Sequence, residues 1–323
     1  MDKEKLPIPN LKPEDLKPGD ILLFPPNALP EGWVGQAIVL LTKGTVSHSA
    51  LYWGEKEGVF MAAHAAPKGI GSVSFPDLVR SEPGCFVRRR NEKEDPEPVL
   101  KAIDGYTDHE NSYPFFNLAV LGLLMLANRF LNKTLRNRIF YDFALLVSAK
   151  LMKAVQEYRH PGKSPMSCSQ FVAQCYTDAG DDYDIKFVKL LVQFGELNTT
   201  ADETSLFDLL GRDETLEIPE TNLDTNQILS METDVAERFI EWMKNNDNEL
   251  AVESAHVDEE DLNKVSRKLL KSLCQVFTGT KPASVKEAIK RLSTNRNYFV
   301  TPEDLLSNAS NLETIGYIDR TAL

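Results

Sequence analysis

The stretch Ser164-Pro-Met-Ser-Cys168-Ser-Gln-Phe171-Val172-Ala-Gln-Cys175-Tyr176 decides how this chain is read. It runs from a loop into a helix that opens on a cysteine. Phe171, Val172 and Cys175 follow Cys168 at helical spacing, so the four side chains share one face. That face packs, and it carries the Cys168 sulfur toward the partial positive charge of the helix N-terminus. Such a field favours the thiolate, the nucleophilic form of cysteine. A buried core cysteine fits the same pattern, so the question becomes whether the chain also supplies a base.

Two histidines sit in strand-like segments upstream. His48 lies inside Val46-Ser-His-Ser-Ala-Leu-Tyr-Trp53, and His64 closes Val59-Phe-Met-Ala-Ala-His64. Between them Gly54-Glu-Lys-Glu-Gly58 reads as a hairpin turn longer than the tight two-residue kind. Neighbouring antiparallel strands place two such side chains on one face within hydrogen-bonding reach. A thiol at a helix start, an imidazole to take its proton and a polar group to orient the imidazole form a nucleophilic constellation. His48 is the candidate base and acid, with His64 at its other ring nitrogen.

The remaining sequence frames that constellation. Lys17-Pro-Gly-Asp20 is a turn and Ile21-Leu-Leu-Phe24 a short apolar strand stopped by Pro25-Pro26. Trp33 to Thr42 reads as a helix with Gly44 at its C-terminal cap. The segment from 66 to 84 reads as a loop, and Cys85-Phe-Val-Arg-Arg-Arg90 as a strand. Its arginines fit either an anionic substrate group or a solvated strand end. Helices are predicted over Glu97–Tyr106, Phe115–Leu131, Thr134–Tyr158 and Cys168–Ala179, then over Thr233–Asn245, Asp258–Phe277 and Ser284–Leu292. Thr301-Pro302-Glu303-Asp304 is a compact helix start.

Bulk properties exclude several classes. A net charge of −12 argues against a general nucleic-acid-binding surface and against electrostatic attachment to anionic lipid. Cys85, Cys168, Cys175 and Cys274 form no CxxC pair and no metal-ligand spacing, so neither a disulfide framework, a zinc site nor another metal or cofactor is expected. No apolar run or cleavage pattern precedes Ile21, which makes a cytoplasmic location the expectation; export by a specialised secretion system leaves the same signature. The apolar run Phe115 to Phe130 is shorter than the ~20 residues that span a bilayer and reads as a buried helix, with transient membrane contact through 115–130 as the alternative.

Together, Gly19-Asp20-Ile-Leu-Leu-Phe24, Val46-Ser-His48-Ser-Ala-Leu-Tyr52, Val59-Phe-Met-Ala-Ala-His64 and Ser167-Cys168-Ser-Gln-Phe-Val172 resemble the circularly permuted papain-like cysteine enzymes. These comprise YiiX- and YebB-like relatives of the NlpC-type cell-wall peptidases and the lecithin:retinol acyltransferase branch. In the permuted order the histidine strands precede the cysteine helix. The resemblance implies an α+β fold with a small antiparallel sheet packed on the cysteine helix, plus helical insertions. It makes Cys168 the nucleophile, His48 the base and His64 the third polar residue, where relatives often carry a glutamate. Tyr113, in Asn-Ser-Tyr-Pro-Phe-Phe116, matches a family tyrosine that assists at the oxyanion or substrate, and also fits a buried aromatic before a helix.

Residues 1–195 and 297–323 are then expected to form the catalytic domain, with an apolar helical insertion at about 115–160, and 196–296 an acidic, mostly helical insertion or cap. Three functions follow. The first is a cysteine amidase or peptidase working through a thioester acyl-enzyme, on a peptide or peptidoglycan fragment. The second is a lipid acyltransferase or lipid-amide hydrolase using the apolar helices. The third is a non-enzymatic or effector-type scaffold that binds a protein partner through 196–296.

Overall fold

The computed structural model describes residues 8–29, 32–66, 69–90, 95–107, 119–125, 138–157, 166–192, 225–245 and 257–322. Its organising element is β1 (Ile21–Phe24), all four residues of which are buried. Ile21 and Leu23 point to one side and Leu22 and Phe24 to the other, the period-two alternation of a central strand covered on both faces. β1 pairs antiparallel with β2 (His48–Lys56) and with β5 (Gly84–Arg90). β3 (Val59–Ala66), β4 (Gly69–Ser74) and β6 (Leu312–Asp319) complete a six-stranded sheet in the order β4-β3-β2-β1-β5-β6, antiparallel at every junction.

The fold is therefore α+β. One sheet face carries α6 (Cys168–Asp178) and α3 (Glu97–Thr107), whose Phe171, Val172, Val99 and Ile103 bury against Ile21, Leu23 and Leu51. The other carries α2 (Phe75–Arg80), with Phe75, Leu78 and Val79 on Leu22, Phe24 and Ala50. Each such large apolar side chain, fully buried, contributes about 1.5–3 kcal/mol.

A separate core forms among helices. It joins α1 (Trp33–Thr42), α4 (119–125), α5 (Arg138–Glu157), α8 (Glu232–Asn245), α9 (Glu259–Thr278) and α10 (Val285–Leu292), with α7 (Thr225–Ser230) alongside. At its centre Phe143 stacks on Phe239 with ring centroids 3.8 Å apart, and Trp33 meets Phe143 edge-on. Trp33 Nε1 donates to Glu232 Oε1 at 3.2 Å, and Lys150 pairs with the same carboxylate. The described part of the apolar run, 119–125, lies inside this core, with Gly122 against Leu269 and Leu273. The 138–157 and 225–292 helices thus share one apolar interior rather than forming separate layers. No helix among the described residues is long and apolar enough to cross a membrane.

Three local expectations are corrected. The hairpin turn is the tight two-residue kind after all: Lys56 pairs with Val59, and Glu57 and Gly58 both take positive φ, 53° and 80°. That is the backbone pattern whose twist matches paired strands, and Gly54 belongs to β2, beside a register shift. The 66–84 segment holds β4 and α2 instead of a loop, with 67 and 68 outside the described residues. Lys43, with φ 52°, is the left-handed residue that ends α1. Gly44 is required for a different reason: a Cβ there would lie 2.3 Å from Glu303 Oε2.

Candidate active site

Cys168 opens α6 because Ser167 caps it. Ser167 Oγ accepts from Gln170 N at 3.0 Å, while Gln170 Oε1 accepts from Ser167 N, a reciprocal capping box. Ser169 Oγ donates to Val300 O at 2.6 Å, fastening the same turn to the returning C-terminal segment. At the far end, Tyr176 Oη donates to Gly19 O at 2.6 Å, which locks α6 to the Lys17–Asp20 turn. Ser167 and Ser169 are structural, and Cys168 is presented on the packed side of the first turn.

His48 and His64 meet as the hairpin predicts. His48 Nε2 and His64 Nδ1 are 3.0 Å apart and share one hydrogen, with the rings edge to face. Phe24, the register partner of His48, lies beside its ring at 5.8 Å between centroids. Because Nε2 is committed to His64, Nδ1 is the His48 nitrogen that faces no histidine.

The thiol meets β2 at Ser49, the residue after His48. Ser49 and Leu51 alternate onto the α6 side of the strand, and both the hydroxyl and the backbone of Ser49 act on the Cys168 sulfur. The same alternation turns His48 to the other side of the strand, where it meets Phe24 and His64. Ser49 Oγ is fully buried, and the Cys168 sulfur is the polar group set against it. Sequence reading passed over Ser49; the signal was its place immediately after His48, with period-two geometry sending it to the cysteine.

Electrostatics correct one expectation. The helix N-terminus does act on Cys168: the amides of Cys168 and Ser169, with Ser49, favour the thiolate. Burial is the larger effect and raises the thiol above its ordinary value. Burial, reinforced by His64, lowers His48 to about 3, and burial alone lowers His64 to about 4. At neutral pH the Cys168 thiol and both imidazoles rest neutral, with no preformed ion pair. In the tautomer that suits a base, His48 donates through Nε2–H to His64 Nδ1 and keeps its Nδ1 lone pair.

This has a consequence for stability. An unfolded histidine binds a proton below about pH 6.5, whereas in the fold His48 and His64 stay neutral until about 3 and about 4. The unfolded state therefore binds more protons in between, and stability present above pH 6.5 is lost as pH falls. Glu82, raised to about 7 by burial against the effect of an Asn27 hydrogen bond, works in the opposite direction over the same range. The histidine part is isolated by comparison with a His48→Gln/His64→Gln double variant. Between pH 7.5 and 5.5 the unsubstituted protein should lose about 2–3 kcal/mol more than the variant in urea unfolding. Equal pH dependence would show that the pair is not held neutral.

The arginines of β5 serve neither use that the sequence suggests. Arg88 is buried and donates to the carbonyls of Ala309 (2.9 Å), Leu312 (2.6 Å) and Leu306 and to Thr314 Oγ1 (3.1 Å). Arg89 grips Asp20 with two bonds, Nε to Oδ1 at 2.6 Å and Nη2 to Oδ2 at 2.7 Å. Arg90 donates to Asp182 O and lies over the Tyr183 ring. All three staple the chain to itself. Tyr113 lies outside the described residues. All four cysteines are free and buried, and among the described residues no group of three or more His, Cys, Asp or Glu side chains is arranged to hold a metal ion.

Neither a protein-family model nor a curated protein matches this chain.

Proposed function

We propose that the protein is a cysteine-dependent hydrolase that cleaves an amide or ester through a thioester acyl-enzyme, on a permuted papain-like catalytic unit. The observation that carries this reading is His48, hydrogen-bonded to His64 of β3, on the strand whose next residue, Ser49, abuts the helix-opening Cys168. As Cys168 Sγ attacks the carbonyl carbon, His48 Nδ1 takes the thiol proton, and the developing oxyanion faces the first-turn amides of α6. The C–N or C–O bond then breaks, and His48 returns the proton to the leaving group. Water attacks the thioester with His48 again as base, and the proton passes back to the sulfur. His64 holds the ring by accepting at Nδ1. Being neutral, it orients imidazolium without the full charge stabilisation that a carboxylate would give. The resemblance of the sequence motifs would give Tyr113, which lies outside the described residues, an oxyanion or substrate role.

Acyl transfer with a lipid remains the second reading. Its motive, the apolar run after Tyr113, is accounted for over 119–125 by packing inside the helical core. Hydrolysis of a peptide-like amide is therefore the leading assignment. Activity-based probes carrying peptidyl, peptidoglycan-fragment and fatty-acyl groups test it on the native protein. A mass increase on Cys168 with the peptidyl or peptidoglycan probe is expected. Labelling by the fatty-acyl probe alone would transfer the assignment to lipid chemistry. Labelling only after unfolding would favour a protein-binding scaffold.

A further inference from the structure

The segment after residue 299 touches both halves of the site. Ser169 Oγ, in the first turn of the cysteine helix, donates to Val300 O at 2.6 Å. Three residues on, the Glu303 carboxylate accepts from Thr45 N at 2.8 Å, in the loop that delivers His48 to β2. Its other oxygen accepts from Ser307 Oγ. Glu303 is buried, and Gly44 leaves the space that its carboxylate fills, since a Cβ at 44 would lie within 2.3–2.6 Å of three Glu303 side-chain atoms. The crossbar is itself rigid. Asp304 Oδ2 accepts from Thr301 N and Thr301 Oγ1 at 3.0 and 2.7 Å, and Asp304 Oδ1 accepts from Leu191 N at 2.9 Å. Val46, Val300 and Leu305 fill the same core as Cys168. A carboxylate buried with backbone and hydroxyl donors needs a reason to be there, because desolvating a charge is costly unless it is well bonded.

We propose that Glu303 is a positioning residue of the Cys168–His48 site, fixing the 43–47 loop, and through it His48, relative to the cysteine helix that Val300 fastens. The inference rests on the hydrolase reading. Its function is registration: a displacement of about 1 Å between base and nucleophile is enough to cost about a hundredfold in rate.

The test is the ratio of iodoacetamide alkylation of Cys168 at pH 7.5 to that at pH 10, read by mass spectrometry of the Cys168 peptide in the folded full chain. At pH 7.5 a thiol raised by burial needs the imidazole; at pH 10 it ionises far more readily on its own. His48→Ala should lower the ratio, and Glu303→Ala should lower it by about tenfold while the pH 10 rate changes less than about twofold. Glu303→Gln, whose amide oxygen still accepts from Thr45 N, should keep at least about half of the ratio. Where Glu303→Ala fails to fold, Gly44→Ala displaces the carboxylate instead and should give the same selective loss. A ratio lowered in His48→Ala but unchanged in the folded Glu303 or Gly44 variant overturns this inference alone, as does a parallel fall at both pH values. A ratio unchanged in His48→Ala overturns the hydrolase reading and takes the inference with it.

Discussion

Replacing Cys168 with alanine is expected to abolish turnover and covalent labelling by electrophiles, while the fold survives. Loss of a nucleophile in comparable constellations removes roughly 10⁴-fold or more of the rate, the residue of activity coming from binding and oxyanion contacts alone. The fold should tolerate the change because the Cys168 thiol is a small group and α6 is held by other bonds, those of Ser167, Ser169 and Tyr176. Intact-protein mass after probe treatment, beside a thermal melt, reads both parts. Cys175→Ala is the matched control. It shares the helix face, and burial, with Asp178 nearby, pushes its thiol well above the ordinary value, so labelling should persist without it. Full activity in Cys168→Ala would place the chemistry elsewhere.

The largest loss of stability is expected from Arg88→Met. Methionine fills comparable length but donates nothing, so the carbonyls of Leu306, Ala309 and Leu312 lose their shared donor in a mostly buried setting. Burial already lowers the Arg88 pKa, with Glu313 opposing, yet a guanidinium stays charged at neutral pH. Removing a buried charged donor while its acceptors remain costs about 3–5 kcal/mol. Urea unfolding should show a lower midpoint at unchanged slope, the signature of lost stability rather than altered compactness. A loss below about 1 kcal/mol would mean that water takes over the three carbonyls. Because those carbonyls belong to the turn that follows Glu303 and to the start of β6, the variant should also loosen the crossbar.

What the sequence made legible was local. Ile21–Phe24 announces a central strand by being apolar without interruption, and the spacing of Phe171, Val172 and Cys175 announces the helix that presents Cys168. The hairpin carrying both histidines was legible because two apolar runs flank a glycine-bearing turn; its exact turn type was not, since Glu57 adopts a positive φ that its residue type does not advertise. β4 was invisible for a different reason. Gly69, Gly71, Ser72 and Ser74 have little strand preference of their own, and pairing with β3 supplies the stability. The arginines, Ser49 and Glu303 take their roles from contacts between residues far apart in sequence, or on the far side of a strand, where no spacing rule reaches. The thiolate expectation failed by magnitude: the helix field acts in the predicted direction, but desolvation is the larger quantity.

The placement of β6 carries a last consequence, for the order in which the protein is made. Val87 of β5 waits for Gly316 of β6, and the loop before His48 waits for Glu303. At cellular elongation rates the ribosome needs roughly ten to fifty seconds to travel from one β-strand to the other. Throughout that interval the nascent chain holds an open sheet edge at β5 and an unregistered thiol and imidazole. On the hydrolase reading, the site would be held together only once synthesis has passed residue 319, and an incomplete chain would carry Cys168 and His48 without the β6 pairing and the Glu303 contact.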